Sequence, residues 1–358
     1  MSAGIHETYM QQCLQLAVKG LGHVAPNPMV GCVIVCDGKI IGEGYHQKYG
    51  EGHAEVNAIN SVADKALLKR AVLYVNLEPC THQGKTPPCA NLIMEYGMPQ
   101  VVIGSVDANP LVSGGGIRKL TDSGCNVTTG VMEKECRELN RRFFAFYEKK
   151  RPYILLKWAQ TKDGYISSKF RVQSSELEEK LKNYTIDWIS NETSRKLVHR
   201  WRSEEQAIMV GTNTVLLDNP RLTVRDWEGN NPVRIIIDKW LRVPVHYHVY
   251  DKTVSTIVFT GVEKESESNL EFVLVDFDKD VIKQILEKLY QRQIQSIMVE
   301  GGEQILNTFI QDNLWDEARV LIADRKFGVG INAPDISGKN VTSRENIGGD
   351  ELLVYRNN

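Results

Sequence analysis

Apolar positions along the chain follow two periods in turn. YMQQCLQLAVKG (9–20) carries them at helical spacing, whereas MVGCVIVCDGKIIGEGY (29–45) reads as two strands around Asp37-Gly38, a dipeptide suited to a tight hairpin turn. HAEVNAINSV (53–62) opens a helix. AVLYVNL (71–77), VVIGSV (101–106) and NVTTG (126–130) are short β-rich runs, with CANLIMEYG (89–97) and GIRKLTDSG (116–124) as short helices between them. This order predicts a sheet covered by helices on both faces and joined by crossovers. MEKECRELNRRFFAFYEKKRP (132–152) reads as one charged helix ending before Pro152, and a domain boundary is expected near residue 150.

The pattern then restarts. PYILLKWA (152–159) is a strand, and 160–187 is polar with little periodicity. Alternation resumes with SNETSRKLVHRW (190–201) as a helix and QAIMVG (206–211), PVRIIID (232–238) and STIVFTG (255–261) as strands. VIKQILEKLYQ (281–291) and EQILNTFIQ (303–311) are helical, QSIMVEGG (295–302) is a strand and turn, and EARVLIAD (317–324) is a strand. A second α/β domain is expected. No internal repeat joins the halves.

Composition sharpens this picture. A chain of 358 residues exceeds the size at which one core usually keeps growing. The seven cysteines (Cys13, Cys32, Cys36, Cys80, Cys89, Cys125 and Cys136) all fall in the first 136 residues, which suggests two modules of different origin. The opening MSAGIHETYMQQC lacks an apolar core of signal-peptide length, and no run approaches the roughly 20 apolar residues of a membrane span. A cytoplasmic protein is expected, and there paired cysteines more often bind metal or catalyse than form disulfides. A net charge of −2 with 25% charged residues gives no basic bias, which disfavours a large nucleic-acid partner.

The chemistry centres on His53 in GHAEVNA and on Cys80 and Cys89 in NLEPCTHQGKTPPC (76–89). An imidazole and two thiolates suit zinc, and three protein ligands leave one tetrahedral position for water, the catalytic arrangement. Because residues two apart on a helix do not face each other, His53 and Glu55 can converge only on a metal lying off the helix N-terminus. Two thiolates leave such a centre near zero net charge, so its water is acidified less and a general base must help. Glu55 is the candidate. The H-x-E and P-C elements of zinc-dependent nucleobase deaminases match at 53–55 and 79–80, with the second cysteine nine positions on instead of three. His82 is read as a loop or substrate contact, since a fourth ligand would close the site. The other five cysteines read as core or incidental thiols.

HAEVNAI, NLEPCTHQGKTPPC and PNPMVGCVIV (26–35) together resemble the deaminase half of the bifunctional riboflavin-biosynthesis deaminase/reductase family. The resemblance implies a cytidine-deaminase-like three-layer α/β/α domain over 1–149. It also implies a diaminopyrimidinone substrate bearing a phosphoribosylamino group, with Asn27, His46, Lys85 and Thr86 as candidate contacts. Lys85 has a physical reason to be there, as an ammonium can meet a substrate phosphate.

For the second half, the one near match to a dinucleotide fingerprint, GLGHVA (20–25), follows a helical pattern and is rejected. VEGG (299–302) ends a strand and opens a helix, so its glycines permit close backbone approach where a helix N-terminus attracts phosphate. LKWAQTKDG (156–164), DWIS (187–190), the helix through Arg202, GTNTVLLDNPRLTVR (211–225) and MVEGG (298–302) stand in the order of the family's reductase half. The resemblance implies a dihydrofolate-reductase-like α/β domain over 150–358 that binds NADPH without the usual fingerprint. Trp188, Thr214, Asp218, Gly301 and Gly302 would contact the cofactor, and Arg202, Leu222, Arg225 and Glu300 the substrate. Lys157 is a further polar candidate. AQTKDG, Ile186 and the charged stretch from Phe170 to Tyr184 depart from the family pattern. The expected enzyme deaminates the pyrimidine with one zinc per chain and then reduces ribosyl to ribityl with NADPH, as a homo-oligomer such as a dimer. Two rivals stay open: a nucleobase or nucleoside deaminase with a non-reducing second domain, and a non-catalytic zinc-binding regulator.

Overall fold

The structure, a computed structural model, describes residues 3–81, 87–168 and 188–357. The chain forms two compact units, Met1–Lys150 and Arg151–Asn358.

In the first unit the elements are α1 (Ala3–Ala17), β1 (Gly31–Cys36), β2 (Lys39–Tyr45), α2 (Ala54–Ser61), β3 (Val72–Leu77) and α3 (Cys89–Glu95). They continue with β4 (Gln100–Ser105), α4 (Gly115–Asp122), β5 (Asn126–Thr129), α5 (Glu133–Leu139) and α6 (Arg141–Lys149). The sheet order is β2-β1-β3-β4-β5, with β1 antiparallel to both neighbours and β3, β4 and β5 parallel. Side chains alternate between faces as the pleat requires. Cys32, Ile34, Leu73, Val75, Val101 and Ile103 pack on Ala58 and Ile59 of α2, Ile93 of α3 and Leu120 of α4. Val33, Val35, Tyr74 and Val102 face Met10, Cys13 and Leu14 of α1 and Cys136 of α5. Helices on both faces explain why GCVIVC is apolar throughout instead of alternating with polar residues. The β1–β2 turn is the expected one, with Asp37 (φ 51°) and Gly38 (φ 74°) both left-handed.

The helix expected over 132–152 is instead two helices that break at Asn140. There the buried side chain accepts from the Met29 N–H (2.8 Å) and donates to the Met29 carbonyl (2.9 Å), and the backbone leaves helical geometry (φ −99°, ψ 25°). A tertiary hydrogen-bond pair thus overrides local helix propensity.

The second unit comprises β6 (Tyr153–Thr161), β7 (Tyr165–Ser167), α7 (Glu192–Glu204), β8 (Ala207–Gly211), α8 (Thr212–Asp218) and β9 (Val233–Ile237). It continues with β10 (Thr256–Thr260), β11 (Leu270–Leu274), α9 (Val281–Gln291), β12 (Ser296–Gly301) and α10 (Glu303–Gln311). β13 (Glu317–Ala323), β14 (Ile331–Asn332), β15 (Val341–Ile347) and β16 (Asp350–Arg356) complete it. Among the described residues the main sheet runs β11-β10-β9-β8-β12-β6-β13-β16-β15, parallel from β11 through β13 and antiparallel for β16 and β15. One face buries Ile154, Leu156, Met209, Ile235, Phe259, Ile297 and Val320 against Ile285 and Leu289 of α9 and Phe309 of α10. On the other face Trp201 of α7 stacks beneath the Arg319 guanidinium at 4.7 Å.

The position of α2 depends on a close approach. A Cβ on Gly44 of β2 would lie 2.3 Å from the Ala58 nitrogen and 2.6 Å from the Ala54 carbonyl oxygen, both helix backbone. Gly44→Ala is therefore expected to push α2 off the sheet, costing about 1–3 kcal/mol and loosening retention of metal by the neighbouring His53. Calorimetry of the first unit's transition, with zinc quantified after dialysis, checks both effects.

Candidate functional site

His53 is the residue immediately before α2, with extended backbone (φ −71°, ψ 166°), so its ring leaves the helix end, and Glu55 lies in the first turn, 3% exposed. Cys80 follows the end of β3, and Cys89 is the first residue of α3. Three segments distant in sequence therefore converge. His53 Nδ1 lies 3.3 Å from Cys89 Sγ and 3.5 Å from Cys80 Sγ, and the Cys89 N–H donates to Cys80 Sγ at 3.4 Å. The three donor atoms lie within 4.8 Å of one another, and all seven cysteines are free thiols. One imidazole nitrogen and two soft sulfurs, with a carboxyl beside them, fit a three-ligand zinc site.

The charges at this cluster are strongly perturbed. Hydrogen bonding from Cys89, followed by that from His53, holds the Cys80 thiol well below its usual range, while its partner Cys89 is pushed up. The hydrogen bond to Cys80 raises His53. Burial, with the Cys80 charge adding to it, pushes the Glu55 carboxyl up to about 7.

Around the cluster, His46 Nδ1–H donates to the Gly52 carbonyl (3.1 Å), and Nε2 accepts from Asn27 Nδ2 (3.1 Å), which fixes a neutral tautomer. Burial lowers the His46 pKa, in keeping with that state. Its ring meets that of His53 edge-on, with centroids 5.4 Å apart. Asn27 and His46 thus adjoin the cluster. Lys85, Thr86 and His82 lie outside the described residues, as does the stretch 170–184.

Glu78, two residues before Cys80, escaped the sequence reading. Its buried carboxylate accepts from the backbone N–H groups of Asp107 (3.2 Å), Gly114 (2.9 Å), Gly116 (2.8 Å) and Ile117 (3.2 Å). It ties the loop 107–117 to the cysteine segment. A signal was present: GGG at 114–116 opens α4 without a capping side chain of its own, so the orphan N–H groups there need an acceptor from elsewhere. Asn76 was also missed. It accepts from Gly31 N–H (2.8 Å) and donates to the Met29 carbonyl (3.1 Å), fastening the residues after Asn27.

In the second unit Arg202 of α7 forks onto Glu300 of β12, Nε to Oε1 at 3.1 Å and Nη2 to Oε2 at 2.7 Å, while Nη1 donates to the Thr223 carbonyl at 3.2 Å. Burial alone would raise Glu300, but Arg202 and then Lys157 hold its carboxyl down at about 2. Lys157 is partly buried, and burial lowers its pKa. Leu222 is buried with φ 54°, and Arg225 stands exposed three residues on.

Thr214 of α8 faces the Gly301-Gly302 turn. A Cβ on Gly302 would lie 3.3 Å from Thr214 Oγ1, and one on Gly301 3.7 Å away, so that a side chain would crowd the gap between the two helix starts. Asp218 follows Thr214 by four positions, on the same side of α8, and is exposed. Trp188 is 55% exposed; Arg195 lies over its ring, and its carbonyl accepts from Arg325. Helix starts carry unpaired backbone N–H groups of the kind that attract phosphate oxygens.

Fold and donor sets define a two-domain enzyme, a zinc-binding deaminase domain followed by a reductase domain. The model of the cytidine and deoxycytidylate deaminase zinc-binding region matches residues 4–105, and that of the RibD C-terminal domain matches 152–342. The riboflavin biosynthesis protein RibD of Aquifex aeolicus is 40% identical, with 98% of each chain covered. That of Escherichia coli is 36% identical over 90% of this chain and 88% of the other. A solved diaminohydroxyphosphoribosylaminopyrimidine deaminase/5-amino-6-(5-phosphoribosylamino)uracil reductase from Thermotoga maritima matches at TM-score 0.86 and 38% identity, covering 99% of both chains. Acinetobacter baumannii RibD matches at TM-score 0.87 and 29% identity over the full length of both chains. The chain belongs to the RibD family of bifunctional riboflavin-biosynthesis enzymes. No helix among the described residues is long and apolar enough to cross a membrane.

The Arg202–Glu300 pair makes a pH-dependent contribution. Glu300's folded pKa of about 2 lies below its ordinary value of 4.5, so the pair's stabilisation is complete above 4.5 and is lost as pH falls through 2. Arg202→Met leaves a buried carboxylate without its fork and is expected to cost about 3–5 kcal/mol near neutrality. Urea unfolding of both proteins at about pH 7 and about pH 4 should show the gap narrowing in acid.

Proposed function

We propose that the N-terminal domain (1–149) hydrolyses the exocyclic amine from a diaminopyrimidinone carrying a phosphoribosylamino group. The C-terminal domain (150–358) then reduces the ribosyl group to ribityl with NADPH. The observation that carries this reading is the approach of His53, Cys80 and Cys89 donors to within 4.8 Å beside buried Glu55, in a chain 40% identical to a riboflavin-biosynthesis protein.

In the first domain His53 Nδ1, Cys80 and Cys89 would hold one zinc per chain, which when bound supplies the Lewis acid that brings water within reach of a carboxylate base. Glu55 takes a proton from the attacking water and delivers it to the pyrimidine ring nitrogen. A further proton transfer at the same carboxyl lets the amine leave as ammonia, with the water oxygen kept as the ring carbonyl. A carboxyl raised to about 7 suits both directions of transfer near neutral pH. Asn27 and His46 orient the pyrimidine, and Lys85 and Thr86 meet the substrate as well.

In the second domain NADPH, when bound, would supply the hydride that reduces C1 of the opened sugar imine, with a solvent proton completing the amine. Thr214, Gly301 and Gly302 line the phosphate cradle, with Trp188 and Asp218 completing the cofactor contacts. Arg202, Leu222, Arg225 and Glu300 shape the substrate side, and Lys157 offers a polar contact to the sugar. A cytoplasmic homodimer belongs to the same reading, supported by the prevalence of closed two-fold assemblies among soluble proteins.

Two experiments test this. Glu55→Gln should keep about one zinc per chain while ammonia release falls by at least about 100-fold; retained deamination removes Glu55 from its role. For the reductase, mixing protein, NADPH and deaminated substrate should give substrate-dependent loss of NADPH absorbance. Gly302→Val should raise the KM for NADPH about tenfold or more, as its side chain fills the cradle. No substrate-dependent oxidation by the unsubstituted protein would instead favour a deaminase with a non-reducing second domain.

A further inference from the structure

The loop after α8 is held to α7 at two alternate residues, Thr223 and Arg225, with a bond within the loop between them. Arg202 donates to the carbonyl of Thr223, Val224 N–H donates to Asn231 Oδ1 at 2.8 Å, and Arg225 N–H donates to His199 Nδ1 at 3.2 Å. His199 stands three positions before Arg202, on the same side of the helix, and only 5% of it is exposed. Its other nitrogen, Nε2, lies 3.3 Å from Asp226 Oδ2. Since Nδ1 accepts, the proton resides on Nε2 and points at Asp226, so the two contacts fix one tautomer and one ring orientation. Beneath the loop, buried Leu222 in its left-handed conformation anchors the chain just before these contacts.

Arg202 and Arg225 therefore have different situations. The fork of Arg202 is already engaged by Glu300, whereas Arg225 projects from the exposed side of the loop with Nη1 3.2 Å from Thr223 Oγ1. We propose that His199 is a positioning residue for the reductase reaction: through its bond to the Arg225 N–H it sets the loop so that the Arg225 guanidinium meets the substrate phosphate. This rests on the reading of Arg225 as a substrate contact. Burial, then Arg202 and Arg225, push the His199 pKa down to about 4, so at neutral pH the ring keeps the lone pair that the N–H needs. The carbonyl grip from Arg202 and the N–H grip from His199 together prevent the segment from rotating about its own axis, which would swing the Arg225 side chain away from the site.

The test compares His199→Phe, which keeps the ring volume but removes both nitrogens, with His199→Asn, whose Oδ1 occupies the place of Nδ1. Arg225→Ala serves as reference, and NADPH binding reports that the second unit is folded. Reductase kinetics are measured with the phosphorylated substrate and with its dephosphorylated counterpart. His199→Phe is expected to raise KM for the phosphorylated substrate about tenfold with kcat changed less than about twofold. The preference for phosphate should fall by the same factor, and His199→Asn should restore most of it. If Arg225→Ala lowers the preference while His199→Phe leaves it intact, or if His199→Phe lowers turnover of both substrates equally, His199 does not act through Arg225 and the inference is overturned. If Arg225→Ala leaves the preference intact, the reading of Arg225 fails, and the role of His199 falls with it. Loss of NADPH binding in His199→Phe together with full phosphate preference in a folded His199→Ala would also overturn it, since the ring would then serve packing alone.

Discussion

Two cysteine sulfurs and one imidazole nitrogen brought within 4.8 Å of each other set the terms for the first unit. Thiols are weak hydrogen-bonding groups, and three polar donors gathered in this way gain little from one another unless a cation draws them together. Their convergence requires three chain segments to end at one point: the end of β3 leading to Cys80, the start of α2 at His53 and the start of α3 at Cys89. Each segment is held by something other than the cluster. Gly44 lets α2 sit against β2, Glu78 binds the loop 107–117 beside Cys80, and the Ala90 N–H returns to the Cys80 carbonyl at 3.1 Å. The scaffold therefore presents the donors already close together, which lowers the ordering cost of binding an ion.

Three glutamates show how surroundings divide one side chain among three tasks. Glu78 is satisfied by four backbone N–H groups and acts as structural cement. Glu300 is held at about 2 by Arg202 and Lys157 and is a permanent charge at neutral pH. Glu55 has neither a guanidinium nor a ring of amides; burial and a neighbouring sulfur raise it to about 7, where a proton can move either way. Sequence alone gives the same letter in all three places. The distinction arises from the partners that the fold supplies.

The legibility of the chain followed the same division. Continuous or periodic apolar runs, such as GCVIVC and VIKQILEKLYQ, appeared as the elements they suggested, because burial on one or two faces dictates the pattern directly. Strands β11, β15 and β16 went unread. β15 is mostly exposed at the sheet edge, so nothing in VTSRENI alternates, although Gly348-Gly349 before β16 was a usable hairpin signal. Motif-bearing residues were legible as a set because their chemistry requires particular atoms. His199, Glu78, Asn76 and Asn140 were not, since each acts on backbone groups distant in sequence, and any backbone N–H or carbonyl is alike in the one-dimensional record.

The strand order of the second unit carries a reversal of the kind at which open α/β sheets bind ligands. In the strand order β9-β8-β12-β6-β13, the connection leaving β8 runs through α8 to β9 on one side, while that leaving β12 runs through α10 to β13, two strands away on the other. The order reverses between β8 and β12, and at such a switch point adjacent loops part beyond the carboxyl ends of the strands to leave a crevice. Thr214 follows β8 and Gly301-Gly302 ends β12, so the residues that approach each other are those which diverging connections would otherwise separate. The reversal is a consequence of topology, and on the β12 side φ of +134° at Gly301 and the nearness of Thr214 both disfavour a side chain. On the proposed reading, this glycine pair at the reversal would stand in for the longer fingerprint that GLGHVA does not supply.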